Sequence, residues 1–204
     1  MTRATFYFDL GSPYAYLAAE RIAGEEVLPG ELVAMPEELV AWQPLSLGAL
    51  FKLAGRSSWS LGDPERRREG IAEVERRAAL YGLAPVRWPE PWPSNYLFAM
   101  RACTYAFQVG QGIEFSLRAF RAAFQQGHDL GVPEHVLKVA EQVGLDSTAV
   151  AAATQDLQVK LALRAATDAA HRRGVFGVPT LAVGEELFWG EDRLQDAAGL
   201  LQAG

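Results

Sequence analysis

The protein has 204 residues, half of them hydrophobic, and a formal charge of -6 at pH 7. A chain of this length can bury most of its apolar surface in one compact unit. Asp and Glu number 25 against 19 for Lys and Arg, so the chain has no general attraction for a phosphate backbone or an anionic membrane surface. We therefore expect neither a nucleic acid nor a membrane as a partner.

The cysteine usage excludes dithiol chemistry, and the first residues of the chain predict a cytoplasmic protein. Cys103 is the single cysteine, which excludes an intramolecular disulfide and dithiol chemistry by this chain alone. Apolar neighbours at helical spacing predict that Cys103 is a buried, unreactive thiol rather than a nucleophile. Strand-like alternation begins at Ala4, so we expect no cleaved leader and a cytoplasmic location.

The first elements form a strand, helix, strand unit. An aromatic run at residues 5–10 predicts a buried strand that ends at Gly11. Ser12 is a favoured helix N-cap and Pro13 a favoured first helical residue, and apolar residues at helical spacing continue to residue 22. A loop is predicted at residues 25–38 and a second strand at 39–42, ending before Pro44.

A long helical block follows. Helical periodicity predicts helices at residues 46–54, 64–81, 95–109, 113–126, 133–142 and 146–155, and a last one that ends near residue 171. The segment 88–93 contains Trp88, Trp92 and three prolines, so we predict a rigid aromatic loop there.

Strand character returns near the end of the chain. Residues 178–183 and 187–189 predict a hairpin that turns at Gly184, and residues 191–202 predict a closing helix. The strands thus come from both ends of the sequence. We predict one α/β domain made of residues 1–44 and 172–204, interrupted by a helical insertion at residues 45–171.

Ser12 is the strongest candidate for chemistry, although an ordinary N-cap also explains it. Its hydroxyl is predicted at the carboxyl end of a strand and at the positive end of a helix dipole, where anions and thiolates bind favourably. A hydrogen bond from Ser12 would lower the pKa of a thiol that a ligand brings there. The sequence lacks Gly-x-Ser-x-Gly and the three histidines have no distinctive acidic spacing, so a serine triad is not supported. No cluster has metal-ligand spacing, and we predict no metal.

Three segments resemble 2-hydroxychromene-2-carboxylate isomerases, a family related to the kappa-class glutathione transferases. The segments are Phe-Asp-Leu-Gly-Ser-Pro-Tyr at residues 8–14, Gly-Val-Phe-Gly-Val-Pro-Thr at 174–180 and Leu-Phe-Trp-Gly-Glu-Asp-Arg-Leu at 187–194. Stretches at 44–52 and 127–134 are similar too, so the resemblance covers nearly the whole chain. It implies a thioredoxin-like, DsbA-like α/β fold with a large all-helical insertion, and it implies glutathione as the cofactor.

The resemblance also assigns residues to the cofactor. It implies that Ser12 hydrogen-bonds the glutathione sulfur and that Ala15 replaces the second cysteine of the redox enzymes. Backbone pairing of the peptide with Val178, before a cis Pro179, is implied as well; from the residues alone, an ordinary loop is the alternative. Glu191 and Asp192 are implied to hold the γ-glutamyl end.

Further positions complete the predicted site. Pro13 and Tyr14 follow Ser12 in the motif and are included among the cofactor-binding residues. Arg56 stands where the family commonly has asparagine, and its guanidinium could bind a carboxylate. Tyr14, Trp88 and Trp92 are candidates for an apolar wall, with core packing as the alternative.

The implied activity is isomerisation of a small aromatic substrate. A glutathione-dependent cis-trans isomerase would interconvert 2-hydroxychromene-2-carboxylate and trans-o-hydroxybenzylidenepyruvate. A kappa-like transferase that conjugates glutathione to electrophiles, and a non-catalytic thiol-binding or interaction protein, are the alternatives. A homodimer is possible because members of the family tend to form one.

Overall fold

The structure is a computed structural model that describes residues 3–23, 33, 35 and 39–203. The loop predicted at residues 25–38 lies outside the described residues except for Val33 and Met35.

The described strands form one mixed sheet. Its strands are β1 (Ala4–Phe8), β2 (Val40–Pro44), β3 (Thr180–Val183) and β4 (Glu186–Trp189), arranged in the order β2-β1-β3-β4. β1 runs parallel to β2 and antiparallel to β3, and β3 and β4 form the predicted hairpin. The prediction that the strands of one sheet come from both ends of the chain is confirmed.

Two strand boundaries differ from the predictions. The second strand includes Pro44, which pairs with Phe8. In the described sheet β2 has a neighbour on one side only, and an edge strand tolerates the missing N–H of proline. The third strand begins at Thr180 rather than at Val178 because the chain turns at the Val178–Pro179 peptide bond.

The helices follow the predicted pattern closely. They are α1 (Pro13–Ala23), α2 (Leu47–Leu53), α3 (Pro64–Leu80), α4 (Leu97–Gln108), α5 (Gly112–Phe124), α6 (Pro133–Gln142), α7 (Ser147–Gln155), α8 (Leu157–Arg172) and α9 (Leu194–Ala203). Side chains that accept bonds from first-turn N–H groups fix several starts, among them Ser46 before α2 and Asp146 before α7. The closing helix, predicted from residue 191, begins instead with a 3-10 turn at Glu191–Arg193.

The helical block and the sheet share one core. The Phe8 ring on β1 lies 6.2 Å from the Phe107 ring of α4, 5.9 Å from the Phe120 ring of α5 and 5.7 Å from the Trp42 ring of β2. Offset and edge-on aromatic pairs of this kind stabilise a core beyond the area that they bury. The α/β fold with a helical insertion is therefore confirmed. Among the described helices, none is both long and apolar enough to cross a bilayer.

Candidate functional site

Strand register brings the predicted site segments to one end of the sheet. Tyr7 of β1 pairs with Thr180 of β3, which pairs with Trp189 of β4. The turn after β1, the loop before β3 and the turn after β4 are therefore neighbours. The Gly190 N–H donates to the Pro179 carbonyl at 3.0 Å, which joins the last two of these segments directly.

Ser12 caps α1, as predicted. Its Oγ accepts a hydrogen bond from the Ala15 N–H at 3.2 Å, and its own N–H donates to the Asp9 carbonyl at 3.0 Å. The residue is 5% exposed. Oγ acts as an acceptor in the cap, so the cap does not use its proton, which lies at the positive end of α1. The geometry suits an anionic sulfur or oxygen.

Asp9 is a site residue that the sequence did not reveal. Its Oδ1 accepts from the Gly11 N–H and its Oδ2 from the Leu47 N–H, both at 2.8 Å. The side chain is almost completely buried, and this burial raises the pKa of Asp9 to about 6 although the two hydrogen bonds lower it. Asp9 thus joins the turn before Ser12 to the start of α2. An acidic residue between two apolar ones in a strand-like run was the available signal.

The loop before β3 has the predicted cis peptide bond between Val178 and Pro179. Within the described residues, no hydrogen bond is made by the backbone N–H or C=O of Val178. A backbone segment with free donor and acceptor groups can pair with an extended peptide by strand addition.

Arg56 contacts this loop through an aromatic side chain. Its guanidinium carbon lies 4.5 Å from the centroid of the Phe176 ring, and that ring lies 4.9 Å from the ring of Trp189. Trp189 also approaches Gly177, where a side chain would meet its Nε1 at 2.7 Å. Arg56 and Trp189 are exposed. A cation and two aromatic rings therefore flank the loop that contains Val178.

Glu191 has a structural role in this arrangement. Its Oε2 lies 3.0 Å from Arg21 Nη1 and accepts a hydrogen bond from the Tyr81 hydroxyl at 2.8 Å, while its Oε1 pairs with Arg77. Glu191 and Arg21 are 1% and 2% exposed. Burial and the Glu191 charge raise the pKa of Tyr81 to about 12. With both oxygens bonded and no exposed surface, the Glu191 carboxylate is not presented to a ligand. Its predicted contact with the γ-glutamyl end is therefore not supported by this geometry.

Asp192 is exposed at the turn after β4. Burial raises the pKa of Tyr14; the charge of Arg77 lowers it, and the charges of Glu73, Glu191 and Asp192 add to the increase. An exposed carboxylate such as that of Asp192 can receive a cationic group. Asp192 therefore fits the predicted role at the γ-glutamyl end better than Glu191 does.

An aromatic cluster borders the start of α1. The Tyr14 ring lies 6.1 Å from the ring of Trp59, the Trp59 ring 5.5 Å from that of Trp92, and the Trp92 ring 4.6 Å from that of Trp88. Trp92 is buried and donates from Nε1 to the Gly11 carbonyl at 3.3 Å. Core packing therefore accounts for Trp92, whereas Tyr14, Trp59 and Trp88 keep exposed surface. Sequence reasoning missed Trp59, which follows a short helix in a segment without periodicity.

The remaining nucleophilic and titratable candidates lie outside the site. Cys103 lies on α4, and its predicted burial is confirmed; this burial raises its pKa to about 12, which disfavours the reactive thiolate. His128 stacks on His135 at 5.0 Å, and its pKa is lowered by burial and by the neighbouring ring. In the described part of the chain, no group of three or more His, Cys, Asp or Glu side chains could hold a metal ion.

Comparison with known proteins identifies the family. Residues 4–202 match the family model of the DSBA-like thioredoxin domain. The chain therefore belongs to the DsbA-like thioredoxin family.

Two relatives and one solved structure that resemble the chain share one protein name. A 2-hydroxychromene-2-carboxylate isomerase from Sphingobium xenophagum is 28% identical over 192 residues, which cover 93% of this chain and 92% of the relative. A protein of the same name from Pseudomonas putida is 27% identical and covers 93% and 89% of the two chains. A solved structure of 2-hydroxychromene-2-carboxylate isomerase has a TM-score of 0.79 at 24% identity, with 98% of this chain and 94% of that chain covered. The resemblance to this isomerase family is thereby confirmed.

Proposed function

We propose that the protein is a glutathione-dependent cis-trans isomerase that interconverts 2-hydroxychromene-2-carboxylate and trans-o-hydroxybenzylidenepyruvate. The observation that carries the proposal is the position of Ser12, whose hydroxyl caps α1 at the sheet end shared with Val178 and Pro179. The similarity to proteins named as this isomerase favours the same reaction. A cytoplasmic location suits the chemistry because thiols stay reduced there.

The residues present fit glutathione. Ser12 and the positive end of α1 favour an anionic sulfur, and the free backbone of Val178 can pair with a peptide. Arg56 and Asp192 are exposed and carry opposite charges. Glutathione has the complementary groups, namely a carboxylate at its glycine end and an ammonium at its γ-glutamyl end. We assign the glycine carboxylate to Arg56 and the γ-glutamyl end to Asp192.

When bound, glutathione would supply a thiolate nucleophile for reversible addition to the unsaturated substrate. The chain contributes by lowering the pKa of the thiol, since the Ser12 hydroxyl and the α1 dipole both stabilise the charged form. Val178 and the two charged residues fix the position of the sulfur. Tyr14 and Trp59 provide apolar surface for the aromatic ring of the substrate.

Calorimetric titration of glutathione tests the binding step. We expect heat of binding with the wild type and at least about tenfold weaker binding with Ser12→Ala, because a charge-assisted hydrogen bond to sulfur is lost. Ser46→Ala is the matched control, since Ser46 caps α2 by the same contact, to the Ala49 N–H, and faces no predicted ligand. Ser46→Ala should lower the free energy of unfolding about as much as Ser12→Ala does and should leave glutathione affinity unchanged. Absence of heat with the wild type would remove glutathione from the proposal.

An ultraviolet assay on 2-hydroxychromene-2-carboxylate, with and without glutathione, tests the reaction. Isomerisation leaves the concentration of free thiol constant, whereas a kappa-like transferase depletes it. Binding of glutathione without conversion or depletion would leave the non-catalytic alternative.

A further inference from the structure

Asp9 has a buried carboxylate in the turn that leads to Ser12. It is 5% exposed, and its oxygens hold the N–H groups of Gly11 and Leu47 at 2.8 Å. Its own carbonyl accepts from the Ser12 N–H at 3.0 Å. The backbone nitrogens of Gly11 and Ser12 are at most about 3.6 Å apart. The carboxylate therefore lies in the same tight turn as the hydroxyl that would receive the sulfur.

Titratable groups face Asp9 from one packed helix. Tyr96 and Cys103 on the α4 side are close enough for the Asp9 charge to add to the burial that raises the pKa of each to about 12. Both are neutral at physiological pH. The Tyr96 ring packs so closely on Gly11 that a side chain at that glycine would overlap it. From the β2–α2 connection, the Leu47 backbone N–H donates to the Asp9 carboxylate.

Among the described residues, no Lys, Arg or His side chain forms a hydrogen bond or an ion pair with the Asp9 carboxylate, whose partners are the N–H groups of Gly11 and Leu47. Burial and the two backbone hydrogen bonds account for its pKa, without a contribution from a charged side chain. A thiolate bound at Ser12 would place a second negative charge at the turn that Asp9 holds. Two like charges in a poorly solvated site cannot both be stable, so one of them tends to take up a proton.

We propose that Asp9 is a positioning residue that holds the Ser12 turn and takes up the proton released when a thiol ionises there. The inference rests on the proposed function. The S–H bond of the thiol breaks, an O–H bond forms on the Asp9 carboxyl, and the negative charge moves from oxygen to sulfur. The net charge of the site is unchanged, and the proton returns when the sulfur leaves.

The pKa of the bound thiol in Asp9→Asn distinguishes this proposal from a merely structural role for Asp9, because the two predict shifts in opposite directions. If Asp9 only held the turn, Asp9→Asn would misplace Ser12 and raise the pKa of the bound thiol. Under the proposal the variant removes the competing negative charge, so the bound thiol ionises at a pH lower by about one unit or more. The ultraviolet absorbance of the thiolate, followed against pH with saturating glutathione, measures this shift. A shift to higher pH would overturn the proposal.

Proton release on binding provides a second readout. Titrations at about pH 7.5 in two buffers of different ionisation enthalpy give the number of protons released per glutathione. We expect well under half a proton for the wild type and about one for Asp9→Asn. S-methylglutathione, which has no ionisable thiol, should release none from either. Asp146→Asn is the control, since the Asp146 carboxylate accepts from the Thr148 N–H, two positions ahead, at the same 2.8 Å on an exposed surface. This variant should release as many protons per glutathione as the wild type does.

The wild type alone decides the question if Asp9→Asn does not fold. The ¹³C chemical shift of the Asp9 carboxyl at neutral pH should move to that of the protonated acid with saturating glutathione, and should stay that of the carboxylate with S-methylglutathione. A carboxylate shift in both complexes, or a full proton released by the wild type, would overturn the proposal for Asp9 and leave the proposed function standing. Absence of any glutathione binding would overturn both.

Discussion

The Glu191 carboxylate and the Arg21 guanidinium meet at 3.0 Å across 170 positions of the sequence, with almost no exposed surface on either side chain. The pair connects the turn after β4 to α1, and Arg77 and Tyr81 extend it to α3 and the residue that follows it. A buried ion pair of this kind holds the elements that carry Asp192 and Ser12 in a fixed relation. Its removal should therefore affect the fold before it affects any ligand.

Glu191→Gln should lower the free energy of unfolding by about 3 kcal/mol, because it removes the buried negative charge to which Arg21, Arg77 and Tyr81 all bond. Denaturant unfolding measures this. Asp192→Asn, at the next, exposed position, should change stability by no more than about 0.5 kcal/mol and should weaken glutathione binding instead. If Glu191→Gln lost affinity at unchanged stability, Glu191 would be a ligand-binding residue after all.

Asp9 should make stability depend on pH between about 4 and 6. Its pKa is raised from 3.8 to about 6 in the folded protein, so the folded state binds more protons in this range than the unfolded state does. The free energy of unfolding therefore falls as the pH rises through the window, by up to about 3 kcal/mol. The difference between wild type and Asp9→Asn, measured by urea unfolding at several pH values, isolates the effect. A difference that does not change with pH would contradict it.

Cys103 should not react with iodoacetamide in the folded protein. It is fully buried, and burial raises its pKa to about 12, so very little thiolate forms at neutral pH. Alkylation followed by mass spectrometry should show one modified cysteine only after denaturation. Ser12→Cys is the positive control, because a thiol at the start of α1 should react in the folded state. Rapid alkylation of the native wild type would show that Cys103 is accessible.

Arg56 should select for the glycine carboxylate of glutathione. Arg56→Ala is expected to weaken glutathione binding about tenfold, with a smaller loss at high salt, because a charge-assisted contact is removed. Binding of γ-glutamylcysteine, which lacks the glycine, should be unaffected by the substitution. Arg68→Ala serves as the control, since Arg68 is exposed on α3. If Arg56→Ala weakened the binding of glutathione and of γ-glutamylcysteine equally, Arg56 would not bind the glycine carboxylate.

Tyr14 should bind the substrate through its ring rather than through its hydroxyl. The ring packs edge-on against Trp59 at 6.1 Å and keeps exposed surface. Tyr14→Ala should therefore raise KM for 2-hydroxychromene-2-carboxylate by about tenfold, since apolar contact area is lost. Tyr14→Phe keeps the ring and should change KM less than about twofold. A large effect of Tyr14→Phe on kcat would show that the hydroxyl takes part in the reaction.

The sequence by itself determined the local features of the protein. Side-chain periodicity, N-cap residues and prolines predicted the helices, the individual strands and the position of Ser12, because each depends on neighbours a few positions away. The single Cys103 and its apolar surroundings were sufficient to predict a buried thiol. The resemblance of three short segments indicated the family.

The tertiary structure decided which charged and aromatic groups meet. Asp9 bonds to Leu47 across 38 positions, Glu191 to Arg21 across 170, and Trp59 packs on Trp92. Burial changes the chemistry of such groups: it makes Glu191 a structural anion and gives Asp9 a raised pKa. Desolvation and long-range pairing depend on the complete fold, so no local pattern in the sequence could reveal them.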